Sequence, residues 1–587
     1  MSDKIAGLDE KKTLSSATLL KMPQPAAEQA FNCLTNEKKA ELVLSAPFKD
    51  RMDMILMADD SKALVQALPE EEIYWTVKER GRSDSLAIIS RTSHAQFQYM
   101  IDVDCWTRDQ IDFGNIAKWY ILLGKCNEVK VVEWFENADE RFLVSTLKRF
   151  MGVAKIESET DVLEEYEEMP NDTFDNVYYF QFADDESRLV LMPLLNVLYK
   201  YDSSLFYSLI EGILYAFTPE SDEEAFRWRQ SRIAEKGFPD IDEALMVYQL
   251  ISDRELEAVQ KSLERRRVSE AGTRSGVRYL MEIDHAPTFF ASALRHLPDE
   301  NAFDAVQRSI IHLANKIIMA DCLEIRDRED RKRAIGKVES YVNIGLEILS
   351  GEDIDQAPNV LAKVHPGDLF RIGYSAGLKL KNSLQAAISQ HGERLVSFAD
   401  PVTAEVISGL LKKRPRYFEG LGAKGLIAHR DFHTIDDIRA SEQRIQRHVF
   451  SFRLIFEVIG IDPETCGREA SLPDVNAGVS CITVFNTLVV NNICNGIFEA
   501  DALGQDDFSA FMSKGWYVSE TGVRALKPNI RREVFDRVCA EFCIESEDLE
   551  SLKGFIEDCL AVMEEELKGV HSAEAIDRRY ITALLLK

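Results

Sequence analysis

Pro69 to Gly81 reads PEEEIYWTVKERG. The proline occupies a favoured first-turn position and the glycine follows an amphipathic run, so the spacing predicts one short helix. Helices of this length are marginal alone and must stack on neighbours. The flanking stretches NEKKAELVLSA and FKDRMDMILMA repeat the pattern, with Leu42 and Val43 placed after Lys39 and an apolar stripe at Met52, Ile55 and Leu56. Polar breaks at Ser45-Ala46-Pro47, Asp59-Asp60-Ser61, Leu68-Pro69, Gly81-Arg82-Ser83 and Thr92-Ser93 recur at roughly 10 to 13 residues, without a strict period. From about Ala26 to Ala154 this reads as short helices stacked in a superhelix or solenoid.

Between Glu157 and Glu186 stand twelve acidic residues and neither Lys nor Arg, the sharpest compositional boundary in the chain. Such a run reads as a solvated linker. Within it NVYYFQFAD, Asn176 to Asp184, alternates aromatic and polar residues and is the strand candidate, half of an isolated hairpin or an edge piece. From Ser187 the predicted helices lengthen: Arg188–Lys200, Ser204–Phe217, Ser221–Lys236 with Ser221 as cap and Gly237 and Pro239 as stop, Asp240–Gln249 and Asp253–Arg267. Beyond His285, longer amphipathic segments ending in Gly or Pro suggest helical hairpins. The expected fold class is mainly all-α. A tail (1–25) precedes a short-helix superhelical domain (26–156), the acidic linker (157–187), a helical domain (188–350) and a C-terminal helical domain (351–587), with at most a small β-hairpin near 174–190.

The 587 residues include 45% hydrophobic and 29% charged residues, ordinary globular proportions, and are long enough for several cores. A formal net charge of −29 opposes non-specific binding to phosphate backbones or anionic lipid, so no nucleic acid is expected as partner. The run EIRDREDRKR, from Glu324, alternates in sign as a solvated helix face does. No secretory signal is read at the N-terminus, and ten cysteines without a C-x-x-C pair suit a reducing cytoplasm. Val475–Phe498 spans 24 residues without a charge, long enough to cross a bilayer, but its asparagines argue for a buried helix of a soluble domain and no membrane span. Asn486, Asn491 and Asn495 are then expected as a buried polar cluster.

QALPEEEIYWTVKERG followed by SDSLAIISRTSHAQFQYMID resembles the intracellular N-terminal superhelical domain of MgtE-type magnesium transporters, with a related arrangement in the middle domain of the flagellar rotor switch protein. That resemblance covers about 130 residues and implies a fold only; no transmembrane domain follows. Glu223-Glu224-Ala225-Phe226-Arg227, Arg232-Ile233 and Gly237-Phe238-Pro239, with the acidic, aromatic-rich segment before them, resemble an uncharacterised bacterial family catalogued as domain of unknown function 6178. The resemblance covers most of the chain and implies a largely helical protein, without an activity or functional residues.

GLGAKGLIAHRDFH, Gly420 to His433, combines G-x-G-x-x-G with His-Arg-Asp. A dinucleotide fingerprint needs an apolar strand before its first glycine, and here LLKKRPRYFE precedes it; a kinase needs an Asn where Asp436 stands. What remains is a concentration of cations in an acidic chain. Arg414, Arg416, Lys424, His429 and Arg430 are the anion-binding candidates, with Arg229 and Arg232 as a second strip, set against internal pairing with the protein's own carboxylates. His429, Asp431 and His433 are weak metal candidates, two histidines four apart sharing a face if helical. No catalytic motif is recognisable, the balance leans away from an enzyme, and no cofactor is identified. Three readings stay open: a cytoplasmic helical scaffold or adaptor binding another protein; an enzyme or sensor binding an anionic small molecule or nucleotide at 412–433; and a divalent-metal, magnesium-type sensor. Oligomeric state is not read from the sequence.

Overall fold

The computed structural model describes residues 15–156, 172–215, 217–263, 288–297, 300–421, 427–464, 466, 478–518, 524–570 and 581–586. The described residues of Met1–Val247 and Leu297–Val338 form one compact unit, and those of Tyr248–Arg265, Thr288–His296 and Glu339–Lys587 another. Both are mainly helical, as the periodicity predicts.

In the first unit the short helices are fixed at their starts by side-chain caps. Thr35, Asp60, Ser93, Asp112, Asn127 and Asp139 each accept a hydrogen bond from a first-turn amide, satisfying a donor the helix itself leaves open. Helix α1 (Glu70–Arg80) starts directly after Pro69 and stops at Gly81, whose φ of +94° is open to glycine. It packs on α2 (His94–Asp104), which α3 (Phe113–Gly124) follows. A single hydrophobic core runs from Leu19 to Ala225, with Phe97 set edge-on to Trp119 and Trp134 at centroid distances of 5.6 and 5.0 Å. The stacking requirement of short helices is met by this shared core.

Small sheets interrupt the helices. β1 (Trp106–Thr107) pairs with β2 (Gln110–Ile111), and β3 (Met151–Lys155), β4 (Asp172–Thr173) and β5 (Tyr178–Phe182) form an antiparallel sheet of order β3-β5-β4. The aromatic alternation expected to make an edge strand therefore makes the central one, with Tyr178 and Phe180 turned into the core. Residues 157–171 lie outside the described residues, but the strands on either side of them pair with each other, so no unit boundary falls at the acidic run. Helix α4 (Thr218–Glu235) begins before Ser221, which lies inside it and donates to the Phe217 carbonyl at 3.4 Å instead of capping.

The second unit takes α5 (Arg328–Ser350) from Glu339 onward and α6 (Pro366–His391), two helices in backbone contact. A Cβ added at Gly345 would lie 2.0 Å from the Leu369 carbonyl oxygen and one at Gly373 2.1 Å from that of Tyr341, so glycine at both positions permits the crossing. Then come α7 (Pro401–Leu411), the hairpin of β6 (Tyr417–Leu421) and β7 (Ile427–Arg430), and α8 (Ile435–Arg453), which runs into a π-helical turn at Leu454–Val458. The buried helix α9 (Cys481–Asn495), the hairpin of β8 (Trp516–Val518) and β9 (Arg524–Leu526), and α10 (Leu549–Leu567) complete it. Among the described residues the single expected hairpin near 174–190 is thus joined by three other small sheets, whose strands of two to five residues are too short to show alternation. The uncharged run Val475–Phe498 gives the buried α9, packed on α10, and among the described residues no helix is long and apolar enough to cross a membrane.

Candidate functional site

Three of the cations of 412–430, Arg414, His429 and Arg430, are engaged within the protein. Arg430 reaches Asp437 with both Nη atoms at 2.7 and 3.0 Å, Glu419 with Nε at 3.2 Å and the Asp431 carbonyl at 2.9 Å, while its guanidinium lies 4.5 Å from the Tyr417 ring centre. Burial would raise the Asp437 carboxyl, but Arg430 and the amides of His433 and Thr434 outweigh it and hold it below its ordinary range. Arg414 lies over Tyr248 at 3.5 Å, and the His429 Nε2–H donates to the Glu405 carbonyl at 3.0 Å. Arg416 is exposed, and Lys424 lies outside the described residues.

The second cation strip is engaged as well. Arg232 grips Asp102 through Nε and Nη2 at 2.7 and 2.8 Å, and the buried Arg229 donates to the Asp102 carbonyl at 2.7 Å with its guanidinium 5.3 Å from Trp106. Burial draws Arg229 down to about 10. His429 ends a strand while Asp431 and His433 precede α8, so the two histidines share no helix face, and among the described residues no group of His, Cys, Asp and Glu is arranged to hold a metal. Burial, then the neighbouring Arg430, lowers the His433 ring below its usual range.

Of the three asparagines two are buried and one is not. Asn486 donates to the Cys559 carbonyl at 2.9 Å, and its Oδ1 finds no partner among the described residues. Asn491 donates to the carbonyls of Glu499 and Asp501 at 2.8 and 3.0 Å. Asn495 is exposed at the end of α9, where Gly496 turns the chain; Asn492 is the third buried amide, its Oδ1 accepting from Arg537 at 2.9 Å. Asn495, four residues after Asn491, stays on the same side of the helix but is its last residue, where the helix leaves the core.

A cavity among the described residues lies elsewhere in the second unit, a half-open cleft of about 670 Å³. On α8 it is lined by Ala440, Ser441, Gln443, Arg444, Arg447, His448 and Ser451, intervals of three and four that place them on one face. Phe555, Asp558, Ala561 and Val562 of α10 form a second wall, Val402, Thr403 and Val406 of α7 a third, and four consecutive residues of β6, Tyr417 to Gly420, a fourth. Capping Asp400 accepts from the amides of Val402 and Thr403 at 3.1 and 3.2 Å, with Arg444 3.6 Å away; Arg447 pairs with Asp558 at 3.1 Å. His448 Nε2–H donates to the Leu395 carbonyl at 2.7 Å, and burial lowers the ring's basicity. Cys481, the first residue of α9, also lines the cleft, but burial pushes its thiol up to about 12 and keeps it from acting as a thiolate.

Two backbone irregularities flank the cleft. The β6–β7 register slips between Phe418 and Gly420, leaving Glu419 without a ladder partner, and Gly420 has φ +112°. The π-helical turn follows the last cleft residue of α8. Bulges and π turns concentrate beside functional sites. The sequence reading missed Arg444, Arg447 and His448; the available signal was the small and polar stripe Ala440, Ser441, Arg444, His448 and Ser451 on a helix otherwise expected to bury apolar residues.

The chain belongs to a family of unknown function, DUF6178, whose model matches residues 28–587. No curated protein and no solved structure matches it, and the likeness of the N-terminal stretch to MgtE-type domains finds no support there.

Proposed function

We propose that this chain is a cytoplasmic helical scaffold that binds another protein, with the cleft between β6, α7, α8 and α10 as its docking site. The observation that carries the reading is how the cleft distributes charge: Arg444 and Arg447 stand beside Asp400 and Asp558, and Glu419 faces Arg430, leaving no surplus of cations to hold a phosphate. A polypeptide, uncharged along its backbone and mixed in its side chains, suits such a lining. Ten free thiols accord with a reducing compartment, and the net charge of −29 disfavours nucleic acid as the partner.

The test is affinity purification of the tagged full-length chain from its native host at low salt, followed by reconstitution with the purified partner. A stoichiometric complex is expected, weakened by the cleft-filling substitution Gln443→Trp. Absence of any partner while circular dichroism shows the chain folded would overturn the reading. So would a thermal shift with nucleotides, phosphorylated metabolites or divalent ions that Arg416→Ala or His429→Ala abolishes, since a saturated specific site adds roughly 4 kcal/mol at a thousand times its dissociation constant.

A further inference from the structure

We infer that the cleft receives an extended segment of the partner protein as an added β-strand along the open edge of β6; the inference rests on the scaffold reading above. Successive side chains of a strand point to opposite faces, so a cavity lying on one face of the hairpin would touch alternate residues. This cavity touches four in a row, Tyr417 to Gly420, and none of β7. The bulge at Glu419 interrupts strict alternation, but contact with four consecutive residues of β6 and none of β7 still places the cavity along the side of β6 away from β7.

That edge is open. The sheet has two strands, and among the described residues no hydrogen bond from outside the hairpin reaches the backbone of Tyr417–Leu421. Glu419, the bulged residue, has no partner in the register of the ladder. Unpaired N–H and C=O groups in a row are a template for another strand, and natural folds ordinarily cover or blunt them. Here the opposing walls stand back by the width of a cleft instead.

The lining also selects the occupant. Val406, Phe555 and Val562 give an apolar seat to alternate side chains of an incoming strand. Leu421 and Ile427, a cross-strand pair at the end of the hairpin, are 73% and 53% exposed. With its arginines already beside carboxylates, the cleft offers backbone pairing and apolar contact as its main sources of affinity. The occupant is an extended segment of about four or five residues, apolar at alternate positions, the length that β6 can pair.

The test uses the full-length chain and a displayed library of seven-residue peptides, counter-selected against Gln443→Trp, an exposed position on α8, with Val402→Trp on the opposite wall as a second blocking variant. Selected peptides are expected to carry alternating apolar residues and to slow amide exchange at Tyr417–Gly420. Methylating the peptide's backbone nitrogens one at a time should reduce affinity about tenfold at every second position and little in between, because only alternate amides face β6. Indifference to N-methylation, protection elsewhere, or no peptide that prefers the unblocked chain would overturn strand addition. Protection of Tyr417–Gly420 that grows with protein concentration alone would make a second copy the occupant and overturn the assignment to a partner. If the purified partner binds Gln443→Trp and Val402→Trp undiminished, strand addition at β6 falls while the scaffold reading stands; if no partner exists, the scaffold reading itself falls.

Discussion

Two regions of this molecule use the same pair of residue types for opposite ends. In the first unit, neighbouring carboxylates near the end of α2 are enclosed by cations: Asp104 meets Arg82, Lys78 at 3.6 Å, the Trp119 indole at 3.0 Å and the Tyr74 hydroxyl at 3.3 Å, while Asp102 holds Arg232 and Gln98. Arg326 adds bonds to the Asp104 carbonyl and to Asp112, both at 2.9 Å. In the second unit, Arg447 and Asp558 meet at 3.1 Å on the rim of a cleft, each about half exposed. Desolvation is the difference. The first network is costly to break because Asp102 and Asp104 are buried and depend on their partly shielded cations; the second holds both of its charges in water, where an incoming chain can exchange them.

The largest effect expected from breaking this contrast is at Asp104. Asp104→Ala leaves Arg82, Lys78 and a buried indole without their acceptor and should destabilise the first unit by about 3–5 kcal/mol. Five of the six tryptophans (Trp75, Trp106, Trp119, Trp134 and Trp228) lie in that unit, so urea titration followed by tryptophan fluorescence reports on it. A loss under about 1 kcal/mol would mean that water compensates the network and that the two regions differ less than their burial indicates.

Glu339 on α5 sharpens the comparison as a shielded carboxyl with no cation. It makes no hydrogen bond or ion pair with a described residue, and burial raises it from 4.5 to about 7. The native state therefore binds the proton more tightly than the unfolded one, so its contribution is fully present below about pH 4.5 and is lost as pH climbs toward 7. Allowing for partial exposure, Glu339→Gln should gain about 1–2 kcal/mol over the parent between pH 5.5 and pH 8. Denaturation midpoints of the two proteins that differ equally at both pH values would show that Glu339 ionises normally in the fold.

The contrast also marks what the sequence could convey. Helix content was legible because short-range signals carry it: Pro69 and Gly81 bracket α1, and Thr434 caps α8 through a capping box with Asp437. Arg326, Arg328 and Arg331 read as an exposed mixed-charge face, yet they bind Asp112, Glu79 and Glu71, more than two hundred residues away. Sign alternation records the presence of charge and says nothing about which carboxylates the fold brings near. The cleft was illegible for a related reason. Its walls come from residues 400–420, 440–451, 481–482 and 555–562, and each segment alone reads as an ordinary amphipathic helix or a short strand. The conspicuous glycine and arginine motif drew attention to side chains that pair internally, when its contribution to the cleft is the backbone of β6.

The smallest expected effect is the most informative about the cleft. In a double-mutant cycle on Arg447→Ala and Asp558→Ala, the coupling should stay below about 0.5 kcal/mol and shrink further in added salt, as for an exposed pair. The Arg82 and Asp104 cycle should give several times that coupling and respond little to salt, since buried pairs are weakly screened. Were Arg447 and Asp558 coupled by more than about 1 kcal/mol, the cleft charges would be structural ties like those of the first unit. An incoming strand would then have to break them before it could lie along β6, and docking would lose the low cost of displacement on which it depends.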